Sequence, residues 1–303
     1  MKLIESLEEI ADENLAVTIG NFDGVHIGHQ YVLKAIKEKI SDDTKLVVIS
    51  FTPHPSIVLS PRKDFLINEA KDKYELLENA ETDYYYEIPF TRDLSTLTGN
   101  EFLTKYLSSK SHKIRFFLGY DFSFGANKKD GVNSIEKFCK ERNYSFEVLD
   151  KKSVKELSVS SSKIRNLIKE GDVKQANRLL GRDFYLSGTI VKGEGRGKQI
   201  GFPTANMQYS NLQITPSKGV YYSSVLYKNG MYKSITNIGV KPTFESDAEI
   251  TVETYILDFD KDIYGETFKL YFHSKLRDEK RFDSVNDLIE QISRDVASRR
   301  KCD

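Results

Sequence analysis

The chain has 303 residues, with 45 Lys plus Arg and 45 Asp plus Glu, so its formal net charge is zero. This length predicts two domains, and the balanced charge argues against a nucleic-acid scaffold. Cys139 and Cys302 are too far apart in sequence for a metal-ligand spacing and are expected to be thiols in a reducing compartment. The N-terminal stretch is too acidic for a signal peptide, and no apolar run has the length of a membrane span. We therefore expect a cytoplasmic protein that binds neither nucleic acid nor membrane, as a monomer or a weak homo-oligomer.

Strand and helix patterns alternate through the first half of the chain. Apolar runs predict strands at 15–19, 46–51, 84–88, 114–118 and 145–149. Helical periodicity predicts helices at 29–40, 69–78, 99–107 and 133–141. This alternation favours an α/β doubly wound parallel sheet, in which ligands bind at the carboxyl ends of the strands.

A glycine-rich turn at 18–29 joins the first predicted strand to its helix and carries the pattern His26-x-Gly28-His29. Glycines let backbone amides approach a phosphate closely, and the N-terminus of the following helix supplies a partial positive charge. Imidazoles at this point can donate hydrogen bonds to phosphate oxygens. We therefore predict a phosphate-binding turn rather than a plain connection with two surface histidines.

Three further segments place chemical groups near predicted strand ends. His54 lies between two prolines that fix the backbone after the second strand. Asp121 and Phe122 follow the strand at 114–118, where an aromatic wall with one carboxylate suits a planar heterocycle bearing NH donors. Serines before Arg165 cap a predicted helix, and the guanidinium suits a departing pyrophosphate. Taken singly, each segment also fits an ordinary role as a rigid loop, a core strand or a helix cap.

The pattern changes after Gly181 to short β-rich runs separated by turn residues, which predicts a small antiparallel β-barrel. The predicted strands are 185–191, 220–226, 232–238, 250–259 and 268–272. A closing C-terminal helix is expected at 284–300, with its apolar side formed by Val285, Leu288, Ile289, Ile292 and Val296. Two short helices at 162–170 and 172–180 bridge the halves.

The glycine-rich segment 193–206 fits neither of the common nucleotide-binding loops. No helix is expected after it and Pro203 interrupts it, while Lys192 and Gln199 stand where a Walker loop needs glycine and a hydroxyl residue. What remains is a flexible flap that leads to Thr204 and Asn206. Their oxygens suit Mg²⁺, although the segment taken alone favours a plain turn into a strand with two exposed polar side chains.

Glu253 stands in a largely apolar strand, so burial of its carboxylate is expected to need a partner or a chemical role. The residue is either a general base or a salt-bridged structural glutamate.

The motifs of the first half together resemble a known family. They are Gly20-Asn-Phe-Asp-Gly-x-His-x-Gly-His29, Phe51-x-Pro-His-Pro55, Gly119-x-Asp-Phe-x-Phe-Gly125 and Ser160-Ser-Ser-x-Ile-Arg165. The set resembles the adenylyltransferase half of the bacterial bifunctional riboflavin kinase/FMN adenylyltransferases, or FAD synthetases. Their first domain is a nucleotidyltransferase fold of the HxGH type.

This resemblance implies roles for individual residues in binding ATP and FMN. Those implied at the ATP phosphates are His26, Gly28, His29, Ser161, Ser162 and Arg165, of which His26, His29 and Arg165 are implied to be catalytic, and Gly20 and Phe22 are implied to bind ATP. Those implied near FMN are Asp23, Phe51, His54, Asp121 and Phe122. Ser162 replaces the usual threonine and keeps its hydroxyl. The usual Gly-Asp pair is inverted to Asp130-Gly131, which leaves the role of that loop open.

The second half resembles the riboflavin kinase domain of the same family. Its motifs are Gly201-Phe-Pro-Thr-Ala-Asn206, Gly219-Val-Tyr221, Asn237-Ile-Gly-x-x-Pro-Thr-Phe244, Glu253 with Asp258-Phe259 and Tyr264-Gly265, and Arg277-x-Glu279 with Phe282. The resemblance implies that Thr204 and Asn206 bind Mg²⁺ and ATP and that Glu253 is the base. Arg277 is assigned to the flavin. Lys198 stands where arginine is common, so it keeps the charge toward ATP but not a bidentate grip.

Together the resemblances imply riboflavin phosphorylation by domain 181–303 and adenylylation of FMN to FAD by domain 1–180, with riboflavin, FMN and ATP as ligands. Three alternatives remain. One is an enzyme with one degenerate domain, and another is a flavin-binding regulator without turnover. The third is a nucleotidyltransferase for another phosphorylated substrate, such as a phosphopantetheine.

Overall fold

The structure is a computed structural model that describes residues 1–11, 14–60, 62–119, 124–125, 130–149, 158–241 and 249–302. The chain forms two compact units. One comprises Met1–Arg62 and Asn68–Ser161, and the other comprises Lys63–Ile67 and Ser162–Asp303.

A parallel sheet of six strands organises the first unit. Its strands are β1 (Lys2–Ile4), β2 (Asn14–Ile19), β3 (Thr44–Thr52), β4 (Tyr84–Pro89), β5 (Lys113–Leu118) and β6 (Ser145–Val148). They are ordered β1-β4-β3-β2-β5-β6, and every neighbouring pair is parallel. The predicted doubly wound α/β sheet is therefore confirmed. The chain proceeds from β2 to β3 on one side and crosses to β5 on the other, so the β2/β5 boundary is a topological switch point.

The helices of this unit connect the strands. They are α1 (Ile27–Lys37), α2 (Pro55–Leu59), α3 (Ala70–Asn79), α4 (Arg92–Thr96), α5 (Gly99–Tyr106) and α6 (Val132–Arg142). Helix α1 begins two residues before the predicted start, because His26 is its N-cap. The sequence patterns missed β1, α2 and α4, which have three to five residues and are too short for a periodic signal.

Apolar residues on both faces of the sheet build two core layers. Val17 and Phe116 belong to one layer, and their neighbours Ala16 and Phe117 belong to the other. All four side chains are completely buried. Burial of both faces explains why these strands are nearly continuous apolar runs in the sequence.

A closed barrel of six strands organises the second unit, as predicted. Its strands are β7 (Phe184–Val191), β8 (Ala205–Tyr209), β9 (Gly219–Tyr227), β10 (Gly230–Lys241), β11 (Glu249–Ile256) and β12 (Thr267–Arg277). The barrel order is β10-β11-β8-β7-β12-β9, and its neighbouring strands pair in antiparallel fashion. Strand β8 was not predicted from the sequence, because its five residues include two polar amides.

Four helices accompany the barrel strands in the sequence. They are α7 (Ser161–Glu170), α8 (Val173–Leu180), α9 (Arg196–Gln199) and α10 (Val285–Lys301). The four residues of α9 form one helical turn within the glycine flap, which the sequence did not predict, and strands β8 and β9 rather than a helix come after it. None of the helices in the described parts of the chain is long and apolar enough to cross a membrane.

Helix α10 packs with polar as well as apolar residues, which corrects its predicted amphipathic side. Val285 at its first position is 60% exposed, whereas Asp295 and Arg299 are buried. The burial of Arg299 has a local reason, because its guanidinium donates two hydrogen bonds to the Ser223 carbonyl, at 3.2 and 3.1 Å.

The short segment 63–67 belongs to the barrel unit although it lies early in the chain. Leu66 forms a parallel bridge with Gln213, and the Asp64 carboxylate accepts a hydrogen bond of 2.6 Å from the Thr215 amide. The buried Gln213 amide donates to the Ile67 carbonyl at 3.2 Å and to the Tyr185 carbonyl at 3.0 Å. The barrel unit is thus completed by chain that precedes it by about a hundred residues.

Candidate active sites

The glycine turn after β2 is tightly folded at the switch point of the sheet. Phe22, Gly24 and Val25 adopt left-handed backbone conformations, with φ of 48°, 85° and 36°. A Cβ on Gly20 would lie 3.1 Å from the Phe22 ring. The chain therefore uses glycine where the backbone and an aromatic ring approach most closely.

The two histidines of the turn stack on each other at the start of α1. Their ring centroids are 3.7 Å apart with an interplanar angle of 11°. Nδ1 of the buried His26 accepts a hydrogen bond of 3.3 Å from the His29 amide, so the proton of a neutral His26 ring lies on Nε2. Gly28 lies in close contact with Val159 and the His26 ring, since a Cβ there would lie 2.9 Å from the first and 3.2 Å from the second. The predicted His26, Gly28 and His29 thus form one cluster.

Another predicted residue, Ser161, contacts this turn at Asp23. Asp23 is almost completely buried, with 4% exposure, and its carbonyl accepts a hydrogen bond of 2.9 Å from the Ser161 hydroxyl. Ser161 therefore lies beside the glycine turn, as the family resemblance implies.

Ser162 and Arg165 belong to the other unit. The Arg165 guanidinium lies 3.9 Å from the Phe65 ring centroid, and its Nε donates to the Phe65 carbonyl at 2.9 Å. The role of Ser162 and Arg165 at a triphosphate stays a prediction.

Besides Asp23 in the glycine turn, the described residues predicted near FMN are Phe51 and His54 at the end of β3. The Phe51 ring packs against Phe90 and Phe102, with centroid distances of 5.7 and 6.0 Å. His54 caps α2, since its Nδ1 accepts a hydrogen bond of 3.1 Å from the Ser56 amide. Asp121 and Phe122 lie outside the described residues, so their flavin contacts stay predictions.

The loop whose role the sequence left open has a structural task. The Asp130 carboxylate accepts hydrogen bonds from the Gly99 amide at 2.8 Å and from the Ser134 hydroxyl at 2.7 Å. It therefore links the first turns of α5 and α6, and Gly131 is the N-cap residue of α6.

The barrel unit brings three polar residues into one row across its strands. Asn206 on β8 is the register partner of Glu253 on β11, and Asn237 on β10 is its partner on the other side. Glu253 is only partly buried, which differs from the full burial expected for its apolar strand. The reason is that its side chain borders a cavity of about 310 Å³.

That cavity joins the barrel to helix α10. Its wall includes Thr204, Asn237, Glu253, Tyr255, Arg277, Phe282, Leu288, Ile292, Asp295 and Val296. Thr204, Glu253 and Arg277 were predicted as site residues. Asn206 and Lys198 are not among the described lining residues. Lys198 is exposed on α9, and Arg196 of the same helix reaches the wall instead.

Two glycines lie in close contact with the predicted metal ligands. A Cβ on Gly193 would overlap the Asn206 side-chain amide, and one on Gly197 would lie 3.3 Å from the Thr204 hydroxyl. Among the described residues, no group of three or more His, Cys, Asp or Glu can hold a metal. The Thr204 and Asn206 oxygens are hard ligands that fit a divalent cation when substrate phosphates complete its shell.

Arg277, predicted as a flavin residue, is held by helix α10. Its Nε and one terminal nitrogen donate to the same Asp295 oxygen at 3.0 and 2.8 Å, and Gln291 donates to the other oxygen at 2.9 Å. Asp295 and Asn237 were not recognised from the sequence as candidate site residues. The Asn237-Ile-Gly motif signalled the second, but nothing in the sequence signalled the partner of Arg277.

The α/β unit has an imidazole turn that suits phosphate, and the barrel has a cavity with a carboxylate beside hard oxygen ligands. Together these features define a two-domain nucleotide-dependent transferase. The FAD synthetase family model matches residues 8–163, and the riboflavin kinase family model matches residues 180–302.

Curated relatives match this chain over nearly its whole length. The Listeria monocytogenes bifunctional riboflavin kinase/FMN adenylyltransferase is 34% identical over 95% of this chain and 92% of its own length. That of Bacillus subtilis is 32% identical over 92% of this chain and 89% of its own. A crystal structure described as a macrolide-efflux protein from Streptococcus pneumoniae is 29% identical, with a TM-score of 0.86 and 99% coverage of both chains. The chain belongs to the bifunctional riboflavin kinase/FMN adenylyltransferase family, which confirms the resemblance drawn from its motifs.

Proposed function

We propose that this chain makes FAD from riboflavin in two steps at two separate sites. The barrel domain phosphorylates riboflavin with ATP to give FMN and ADP, and the α/β domain joins FMN to ATP to give FAD and pyrophosphate. The observation that carries the proposal is the presence of the imidazole turn in one unit and the Glu253 cavity in the other. The matched ranges 8–163 and 180–302 support functional domains at 1–180 and 181–303.

Adenylylation needs no nucleophile from the protein, because the FMN phosphate itself attacks the α-phosphorus of ATP. The turn therefore has to bind phosphates and stabilise the charge that develops on pyrophosphate. Its resources are the N-terminus of α1, the Nε2–H of neutral His26 and the adjacent His29 ring. The close fit at Gly28 fixes these groups relative to one another before the substrate arrives.

Phosphorylation of riboflavin needs a base at the attacking hydroxyl. Glu253 borders the cavity and accepts the proton of the ribityl 5′-hydroxyl as that oxygen attacks the γ-phosphorus. Apolar wall residues such as Leu288 and Val296 suit the isoalloxazine ring.

The family is ATP-dependent and uses a divalent metal. We assign Mg²⁺ to Thr204 and Asn206, supported by their oxygen donors and by the close approach of the Gly193 and Gly197 backbone to their side chains. When bound, the cation neutralises phosphate charge. Free thiols at Cys139 and Cys302 support a cytoplasmic location for both reactions.

The test is a flavin assay with purified full-length protein. Incubation with riboflavin, ATP and MgCl₂, followed by chromatographic separation of flavins, is expected to show FMN appearing first and FAD later. A parallel reaction starts from FMN and is expected to give FAD and pyrophosphate. If riboflavin were converted to FMN but no FAD formed in either reaction, the protein would be a riboflavin kinase with a degenerate first domain. Bound but unchanged riboflavin and FMN would indicate a regulator.

A further inference from the structure

Lys73 is a buried lysine close to the glycine turn that no motif singled out. It lies on α3 with 8% exposure, and its ammonium reaches the carboxyl end of β3. Nζ donates to the Ser50 hydroxyl at 3.1 Å and approaches the Phe51 carbonyl at 3.5 Å. It also lies 5.5 Å from the centroid of the buried Tyr85 ring.

These contacts do not include the hydrogen-bonded carboxylate that usually offsets the free-energy cost of burying a cation. Burial lowers the pKa of Lys73, and the negative charges of Glu87 and Asp23 only oppose that effect. The hydrogen bonds of the ammonium go to neutral oxygens, while a Glu87 oxygen accepts from the Thr52 and Tyr85 hydroxyls. A buried charge without a hydrogen-bonded counter-ion is a poor device for fold stability. The burial of this ammonium therefore points to another task.

The hydrogen bond that Ser50, the partner of Lys73, donates in turn indicates what this task is. The completely buried Ser50 donates from its hydroxyl to the Asn21 carbonyl at 3.1 Å. Asn21 lies between Gly20 and Phe22, at the entry of the turn that carries the two histidines. The ammonium, the Ser50 hydroxyl and the Asn21 peptide thus form one polar path from α3 to the turn.

We propose that Lys73 is a positioning residue of the adenylylation site, which acts through Ser50 to fix the Asn21 peptide and thereby the glycine turn. An ammonium donating to the Ser50 oxygen strengthens the bond that this hydroxyl donates to Asn21, because successive hydrogen bonds polarise one another. The inference rests on the proposed adenylyl transfer at the same turn. It adds a residue from a helix that contributes nothing to the recognised motifs.

The first test compares Lys73→Met with Lys71→Met, which removes an exposed lysine from the same helix. We expect Lys73→Met to lower kcat for FAD formation from FMN by about ten- to hundredfold, the scale of losses caused by small misplacements. KM for ATP is expected to change by less than about twofold. The thermal midpoint of the α/β unit is expected to stay constant or rise, because a buried ammonium that hydrogen-bonds only to neutral oxygens is removed. Riboflavin phosphorylation and the Lys71→Met enzyme are expected to match wild type.

The second test is a double-mutant cycle with Ser50→Ala. If Lys73 acts through Ser50, replacement of Lys73 costs much less in the Ser50→Ala background than in wild type, whereas independent residues would give additive losses. Wild-type kcat in Lys73→Met, additive losses in the cycle, or a fall in kcat accompanied by a lower thermal midpoint would each overturn the inference. A wild-type enzyme that makes no FAD from FMN would instead overturn the proposed function itself.

Discussion

The two units of this chain build their sites from different parts of the polypeptide. In the α/β unit the proposed site is a turn at the carboxyl ends of parallel strands, and the groups proposed to act there are backbone amides and imidazoles close together in sequence. In the barrel the proposed site is a row of side chains that register places side by side, as Asn206, Glu253 and Asn237 show, and the last two belong to the cavity wall. A turn leaves a compact motif in a sequence, whereas a wall leaves scattered residues.

The contrast extends to how each site is held. The imidazole turn is fixed by close packing at Gly28 and by hydrogen bonds to its backbone, such as those from Ser50 and Ser161. The barrel cavity is closed by a separate helix that an ion pair between Arg277 and Asp295 attaches. Changes in the first are therefore expected to alter chemistry, and some changes in the second are expected to alter stability.

Glu253→Gln gives the largest expected effect, because it removes the base and keeps the shape of the cavity wall. FMN formation from riboflavin is expected to fall by about a thousandfold. FAD formation from supplied FMN, measured by chromatography on the same preparation, is expected to stay at the wild-type rate. A substitution that removed both activities from a folded protein would contradict the two-site comparison.

His29→Ala is the reciprocal test in the α/β unit. Loss of one donor at the phosphates is expected to reduce FAD formation from FMN by about a hundredfold. FMN formation from riboflavin is expected to persist and serves as the internal control. Equal loss of both reactions with an intact fold would again show that the sites are not separate.

Asp295→Asn tests how the barrel cavity is held. Asp295 and Arg277 have side-chain exposures of only 7% and 15%, so loss of the carboxylate leaves a buried guanidinium without its counter-ion. The barrel transition in urea is expected to lose about 3 kcal/mol of unfolding free energy. Asp258→Asn is the matched control, since it breaks the exposed pair with Arg300 and is expected to leave the transition unchanged. Equal effects of the two substitutions would contradict the assignment.

Alkylation of the two thiols gives the smallest effect and compares the units without mutation. Cys139 is buried in the α/β unit, and burial raises the pKa of its thiol to about 11. Cys302 is partly exposed at the end of α10. At pH 8 iodoacetamide is expected to label Cys302 first and Cys139 only through unfolding of its unit, because the thiolate is the reactive form. Mass spectrometry distinguishes the two, and simultaneous labelling would refute the expectation.

Much of the fold was predictable because most elements are long and strongly patterned. The strands at 46–51 and 114–118 were found within two residues of their observed bounds, since burial on both faces makes them continuous apolar runs. Strand β8 and helix α9 escaped because five and four residues carry no reliable period. Val285 was misassigned because helical periodicity cannot show where a helix makes its first tertiary contact.

The sites were predictable to different extents for physical reasons. His26, Gly28 and His29 lie within four residues, so local geometry brought them together as predicted. The Arg277–Asp295 pair depends on the docking of a helix, and the Lys73–Ser50 bond on packing of α3 against β3. No local pattern encodes such partners, because they arise only when distant segments fold together.

Segment 63–67 has a consequence for dividing this protein into pieces. A fragment that begins at residue 162 lacks the partner of Gln213 and the carboxylate that binds the Thr215 amide. Dividing the gene before residue 162 would therefore yield a kinase half that lacks part of its own packing. Because residues 63–67 of the barrel unit lie within the sequence of the α/β unit, inheritance of the two activities as a single reading frame is favoured.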